Sequence, residues 1–216
     1  MAEKRALIFA NGERANLEIL RAWVRPDDLL IAADGGLRFL RALGLPPGLV
    51  IGDLDSLAEG EIEQLRQAGV AVRQHPVHKD ETDLELALQA ALAAGARQIW
   101  VVAALGGRLD MILANIFLLM LPELSGVDAR LEDGYDTVFL IRPGRPGEVQ
   151  GQPGERLSLL PLNGPAHGVH TQGLEYPLNR ETLWPERSRG ISNRLQAPLA
   201  RITLDDGLLL CIHTHH

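Results

Sequence analysis

The stretch VIGDLDSL, residues 50–57, ends an aliphatic run at Gly52 and then sets Asp53 and Asp55 one residue apart. Two like charges at that spacing repel and add nothing to a core, so a cation between them would make sense of the pair. On extended backbone, residues i and i+2 point to the same side, so both carboxylates are expected on one face, whereas a helix cap needs only one. The same pattern, an apolar run that stops at an acid beside glycine, recurs along the chain. IAADGG (31–36) ends at Asp34 with Gly35 and Gly36, and VVAALGGRLD (101–110) leads through Gly106, Gly107 and Arg108 to Asp110. HKDETD (78–83) carries Lys79, Asp80, Glu81 and Asp83 into the start of a helical pattern.

Between these stops, short aliphatic runs alternate with helical periodicity. RALIFA, DLLIAAD, GLVIGD, VAVRQHP and QIWVVAAL read as strands, and the segments between them as helices closed by Gly44, Gly69 and Gly95. Continuous apolar strands separated by helices predict a mostly parallel sheet covered on both faces. In such a sheet the carboxyl ends of the strands open on one side, where ligands bind. Aspartates far apart in sequence are therefore expected to converge. DMILANIFLLMLPEL (110–124) is apolar nearly all round and is expected to be buried, and DARLEDGYDTVFLI (128–141) reads as a hairpin about Asp133-Gly134. From Arg142 the texture becomes rich in proline and glycine, followed by short strands at hairpin spacing, two of them joined at Asp205-Asp206-Gly207. The expected fold class is α/β: an N-terminal mostly parallel sheet with helices on both faces over residues 1–143, then a small all-β, sandwich-like domain over 144–216.

The 216 residues are 46% hydrophobic but only 4% aromatic, so the core must be mainly aliphatic. A net charge of −7 without a basic run argues against nucleic acid as a partner. No stretch approaches a membrane span, and the five apolar residues before Asn11-Gly12 are too few for a signal peptide. With Cys211 as the only cysteine, a cytoplasmic location is expected. The tail CIHTHH (211–216) reads as a solvated end whose histidines bind metal only adventitiously.

Taken singly, Asp34 and Asp110 also read as helix caps, and Asp83 as an acid that favours a helix dipole. Taken together they point to a cation held by hard oxygen ligands, Mg2+, Mn2+ or Ca2+, with no zinc-type cysteine or histidine spacing. Glycine pairs let backbone N–H groups approach phosphate, and Lys79 and Arg108 add positive charge. This combination suggests phosphoryl-type transfer, in which catalysis is mainly positioning and charge neutralisation.

ADGGLRFL, PPGLVIGDLDSL, KDETDLELAL, LGGRLDMILANI and SRGISN occur in one order. With the early ANGE and the later GLEYPLNRETL, they resemble the motif set of the thiamine pyrophosphokinases over nearly the whole chain. The resemblance implies transfer of pyrophosphate from ATP to thiamine, with Mg2+ (or Mn2+) as cofactor. It also implies an α/β catalytic domain, a β-sandwich that binds thiamine, and a homodimer with active sites between subunits. Residue by residue, it implies metal ligation by Asp53, Asp55 and Asp83, and further catalytic acids at Asp34 and Asp110. ATP and phosphate contacts fall to Gly35, Gly36, Lys79, Asp80, Gly106, Gly107 and Arg108, and thiamine contacts to Ser192 and Asn193. Two positions depart from the family pattern: Met111 stands where histidine is common, and Leu195 where some relatives carry an aromatic. The alternatives are a non-catalytic module that senses ATP and Mg2+, or a phosphatase with an aspartate nucleophile in the D-x-D of GDLDS.

Overall fold

A computed structural model describes residues 3–215. The chain divides into two compact units, Met1–Gly134 and Tyr135–His216. In the first, strands β1 (Arg5–Phe9), β2 (Leu29–Ala33), β3 (Leu49–Gly52), β4 (Ala71–Gln74), β5 (Gln98–Val102) and β6 (Asp128–Glu132) alternate with helices. The helices are α1 (Leu17–Trp23), α2 (Leu37–Leu43), α3 (Glu59–Gln67), α4 (Asp83–Ala93) and α5 (Leu109–Leu118). The strands pair in the order β4-β3-β2-β1-β5-β6, parallel throughout. The first four strands are laid down in one direction from β1 and the next two on its other side, so the order reverses between β1 and β5, the place where open α/β sheets bind ligands.

Local chemistry fixes these boundaries. The Asn16 side chain accepts from the Ile19 N–H at the start of α1, and Thr82 Oγ1 from the Glu85 N–H at the start of α4. Gly44, at φ 67°, ends α2. β1 is buried along its whole length, and its Leu7 and Phe9 join Ala32, Leu40, Val50 and Val102 in an aliphatic core. Arg5, also buried, donates to Asp28 at 2.7 Å and lies over the Trp100 ring.

Helix α5 departs from expectation. Leu109 is 69% exposed and Phe117 54%, with Met111 and Leu113 exposed as well; within the helix the buried residue is Asn115. An all-apolar sequence shows that the helix wants cover but not that its own sheet supplies it.

The second unit is antiparallel: β7 (Asp136–Ile141), β8 (Gly147–Gln150), β9 (Arg156–Gln172), β10 (Glu181–Leu183), β11 (Asn193–Arg194), β12 (Leu199–Thr203) and β13 (Asp206–Thr214). β9 runs for 17 residues; it pairs with β11 and β13 along its first half and with β10 and β12 along its second. Its inward side chains, Leu157, Leu159, Ala166 and Val169, form a core with Ile202, Leu209 and Cys211. β6 lies parallel to β5, and β7 pairs with β13. The hairpin expected at Asp205-Asp206-Gly207 does not describe the pairing. β12 pairs with β8 and β9 rather than with β13. Because β7 is held by β13, the units divide at Gly134/Tyr135, earlier than the proline-glycine texture that set the expected boundary at 143/144. The terminal strand is not a solvated tail: His213 is buried, with Nε2 2.8 Å from Glu155 Oε2. Burial holds the His213 imidazole below its ordinary pKa, with the His215 charge acting in the same sense against the Glu155 carboxylate. Burial pushes the Glu155 carboxyl up, but hydrogen bonds from the Gln152 N–H and His213 outweigh this and leave it below the usual range.

Candidate active site

At the carboxyl ends of the parallel strands lies a cleft of about 710 Å3. The chain after β1 supplies Asn11, Gly12 and Glu13; the ends of β2 and β3 supply Asp34 and Asp53; the approach to α4 supplies Lys79, Thr82 and Asp83; the turn after β5 supplies Gly106, Gly107 and Arg108. Each segment is delivered by its own strand, so the cleft belongs to the sheet and to no single loop.

Asp34, Asp53 and Asp83 each place a carboxylate oxygen within 4.8 Å of the other two. Gly52 allows this proximity. Its φ is 149°, and a Cβ there would stand 3.1 Å from both the Asp34 Cβ and the Asp83 Cγ. Asp34 has a left-handed φ of 41°, a conformation aspartate tolerates better than most residues, and its Oδ1 accepts from Ser56 Oγ at 3.1 Å. Thr82, not Asp83, caps α4, which leaves the Asp83 carboxylate to the cleft. Lys79 Nζ lies 3.1 Å from Asp83 Oδ1 and donates to the Pro76 carbonyl at 3.2 Å. That Oδ1 is buried and receives no well-directed hydrogen bond. Three converging carboxylates, one with an unsatisfied buried oxygen, suit a hard divalent cation such as Mg2+.

Asp55 stands outside this trio. Leu54 takes a left-handed φ of 59° and buries its side chain, so the backbone from 53 to 55 is turned and the extended alternation does not hold. The Asp55 N–H instead donates to Asp53 Oδ1 at 3.3 Å, and its carboxylate is exposed. Arg108 and Asp110 form an exposed two-point pair, with Nη2 to Oδ2 at 2.6 Å. The hydrogen bond to Arg108 holds the Asp110 carboxyl below its usual range, and the same bond raises the Arg108 pKa. Gly35, Gly36 and Asp80 do not line the cleft. Met111 does, and so does Asn115, whose buried amide donates to the Ala104 carbonyl at 2.8 Å. In the sequence, the one signal for Asn115 is a lone amide in an apolar helix.

In the second unit, Tyr176, Ser188, Arg189, Gly190, Ile191 and Asn193 line a separate hollow of about 370 Å3. Asn193 is buried; its Nδ2 donates to the Tyr176 carbonyl, and its Oδ1 accepts from the Tyr176 and Arg194 N–H groups. Its amide thus braces the wall of the hollow. Ser192 is exposed, and its N–H donates to Ser158 Oγ. Leu195 is a core residue, whereas Tyr176 presents an exposed aromatic ring.

Both units match family models. The catalytic domain of thiamin pyrophosphokinase matches residues 20–130, and the vitamin B1 binding domain of thiamin pyrophosphokinase matches residues 148–209. The chain belongs to the thiamin pyrophosphokinase family. It is 28% identical over 207 residues to the thiamine pyrophosphokinase of Bacillus subtilis, covering 96% of this chain and 97% of that protein. The crystal structure of the Bacillus subtilis thiamine pyrophosphokinase superposes with a TM-score of 0.87 over 99% of this chain and all of that one, again at 28% identity. Yeast thiamin pyrophosphokinase, at 18% identity, shares the fold, with a TM-score of 0.79 over 99% of this chain and 87% of that chain. Apart from the segment 10–13, the residues that line the cleft fall within the catalytic match, and the Tyr176 hollow lies within the vitamin B1 binding match. Among the described residues, no helix is long and apolar enough to cross a membrane.

Proposed function

We propose that this chain transfers the pyrophosphoryl group of ATP to the hydroxyl of thiamine, giving thiamine diphosphate and AMP. The observation that carries the reading is the cleft in which Asp34, Asp53 and Asp83 meet Lys79 at the switch point of the sheet. Asp53 and Asp83, with Asp34 beside them, would hold Mg2+ or Mn2+, and Asp55, whose N–H donates to Asp53, would be a further acid for the ion. When bound, such a cation would supply positive charge against that of the phosphates in the transition state. Lys79 faces the transferring group, and Gly106 and Gly107 let the backbone approach the phosphates closely. Arg108, oriented by Asp110, adds positive charge where AMP departs. Asp34, held by Ser56, is placed to orient the attacking hydroxyl.

Thiamine is assigned to the hollow of the second unit, where Asn193 braces the wall, Ser192 lies on the adjoining turn and the Tyr176 ring supplies a flat apolar face. A homodimer with active sites between subunits belongs to the same reading. The exposed Leu109, Leu113 and Phe117 of α5 support it as apolar surface of the kind subunit contacts cover.

Incubation with ATP, Mg2+ and thiamine should give AMP and thiamine diphosphate in equal amounts, resolved by liquid chromatography. ADP or free phosphate as the nucleotide-derived product would overturn the reading, and absence of turnover would favour a sensor of ATP and Mg2+. Tyr176→Ala should raise the KM for thiamine about tenfold, the worth of one aromatic contact, and leave the KM for ATP unchanged. Tyr176→Phe should retain the wild-type value. Equal effects on both substrates would remove Tyr176 from the thiamine site.

A further inference from the structure

The second unit carries a cluster of metal-ligating side chains that the proposed reaction does not use. Glu155, His213 and His215 each place a possible ligand atom within 4.8 Å of the other two. We propose that they form a second metal site, chemically distinct from the acidic cleft, which takes a borderline transition-metal ion, Zn2+ foremost.

The ligand set argues for that class of ion. Two imidazoles and one carboxylate are the donors of zinc sites that keep a fourth position for water, whereas Mg2+ prefers oxygen ligands and retains its own waters. The fold supplies the donors in register. His213 lies on β13 and His215 follows directly after its end at Thr214; two residues apart on extended backbone, they turn both imidazoles to one side. Their ring centroids are 4.3 Å apart. Glu155, in the turn that leads into β9, meets them with Oε2 2.8 Å from His213 Nε2. Glu155 and His213 are both buried, so two ligands are held in place before any ion arrives.

The surroundings fit a built site. The Gln152 N–H donates to Glu155 Oε2 at 3.0 Å, and Thr137 Oγ1 lies 2.9 Å from His215 Nε2. Outer partners of this kind fix the orientation of ligating groups. Residue 151 is glycine, and a Cβ there would overlap Glu155 Oε2 and stand 3.0 Å from His213 Cε1. Binding replaces the proton shared by His213 Nε2 and Glu155 Oε2 with the ion, and that proton leaves to solvent. The ion then joins the last strand to the entry of β9. A simple structural hydrogen bond between Glu155 and His213 would need neither His215 nor a metal, and this difference makes the proposal testable.

The test uses the full chain, stripped with a chelator and titrated with Zn2+ alone in excess Mg2+, which keeps the acidic cleft filled. One Zn2+ should bind per chain, and Co2+ in its place should give the intense visible bands of a four-coordinate, imidazole-bound ion. His215→Ala, at a half-buried position, and Glu155→Gln should each weaken Zn2+ binding by at least about a hundredfold, because losing a ligand costs no less than losing an outer partner. His216→Ala should leave it unchanged. Absence of stoichiometric Zn2+, affinity indifferent to His215→Ala and Glu155→Gln, or affinity lost in His216→Ala would each overturn the proposal, the last as adventitious binding at the chain end only.

Discussion

Asp53→Asn lowers kcat for thiamine diphosphate formation by about a thousandfold, the scale on which a preorganised electrostatic contact acts in a transition state. The folded state loses nothing comparable. Asp53 is half-buried, and its oxygen lies within 4.8 Å of those of two other carboxylates. Removing one of three crowded negative charges relieves repulsion in the metal-free protein, so the thermal midpoint should hold or rise slightly. The check pairs chromatographic measurement of AMP with a melting curve of the same preparation. A variant that keeps its turnover, or one that unfolds, would show that the trio is not a metal anchor.

Gly36→Ala is expected to be the most damaging small change in the chain. Gly36 has an ordinary helical φ of −59°, so conformational freedom is not the issue. Its α-carbon lies against the Phe9 carbonyl of β1, and an added Cβ would overlap that oxygen and its carbon. Neither strand nor helix can yield, because β1 is buried between β2 and β5. A cost of about 4 kcal/mol follows, or roughly 10 °C in the midpoint for a chain of this size. Gly60→Ala is the control: nothing lies within 4 Å of its would-be Cβ, and inside α3 alanine should stabilise by about 0.5–1 kcal/mol. Equal midpoints for the two variants would sink the steric argument.

Much of the site could be read in the sequence, because its logic is that of strand ends. Asp34, Asp53, Asp83, Lys79 and the glycine pair at 106–107 all line the cleft, as parallel strands alternating with helices require. Local pattern does not settle what tertiary packing decides. Extended backbone would set Asp53 and Asp55 on one face, but Leu54 is drawn into the core and turns the chain. The composition of α5 predicted burial, yet composition cannot say what covers a helix. The strands flanking Asp205-Asp206 resemble a hairpin because they are close in sequence, whereas both pair instead with the long β9. His213 looked like part of a tail because nothing nearby in sequence reveals Glu155, its neighbour across the fold.

The spread of the carboxylate trio over positions 34, 53 and 83 has a kinetic consequence. Contacts between distant positions form late, because chain closure must come before any reward from the contact. A growing or partly folded chain does not hold all three acids together until β2, β3 and the start of α4 have docked. Divalent-ion affinity at the cleft is therefore a reporter of completed folding: in refolding experiments it should appear together with the slowest native signal and not with early helix formation.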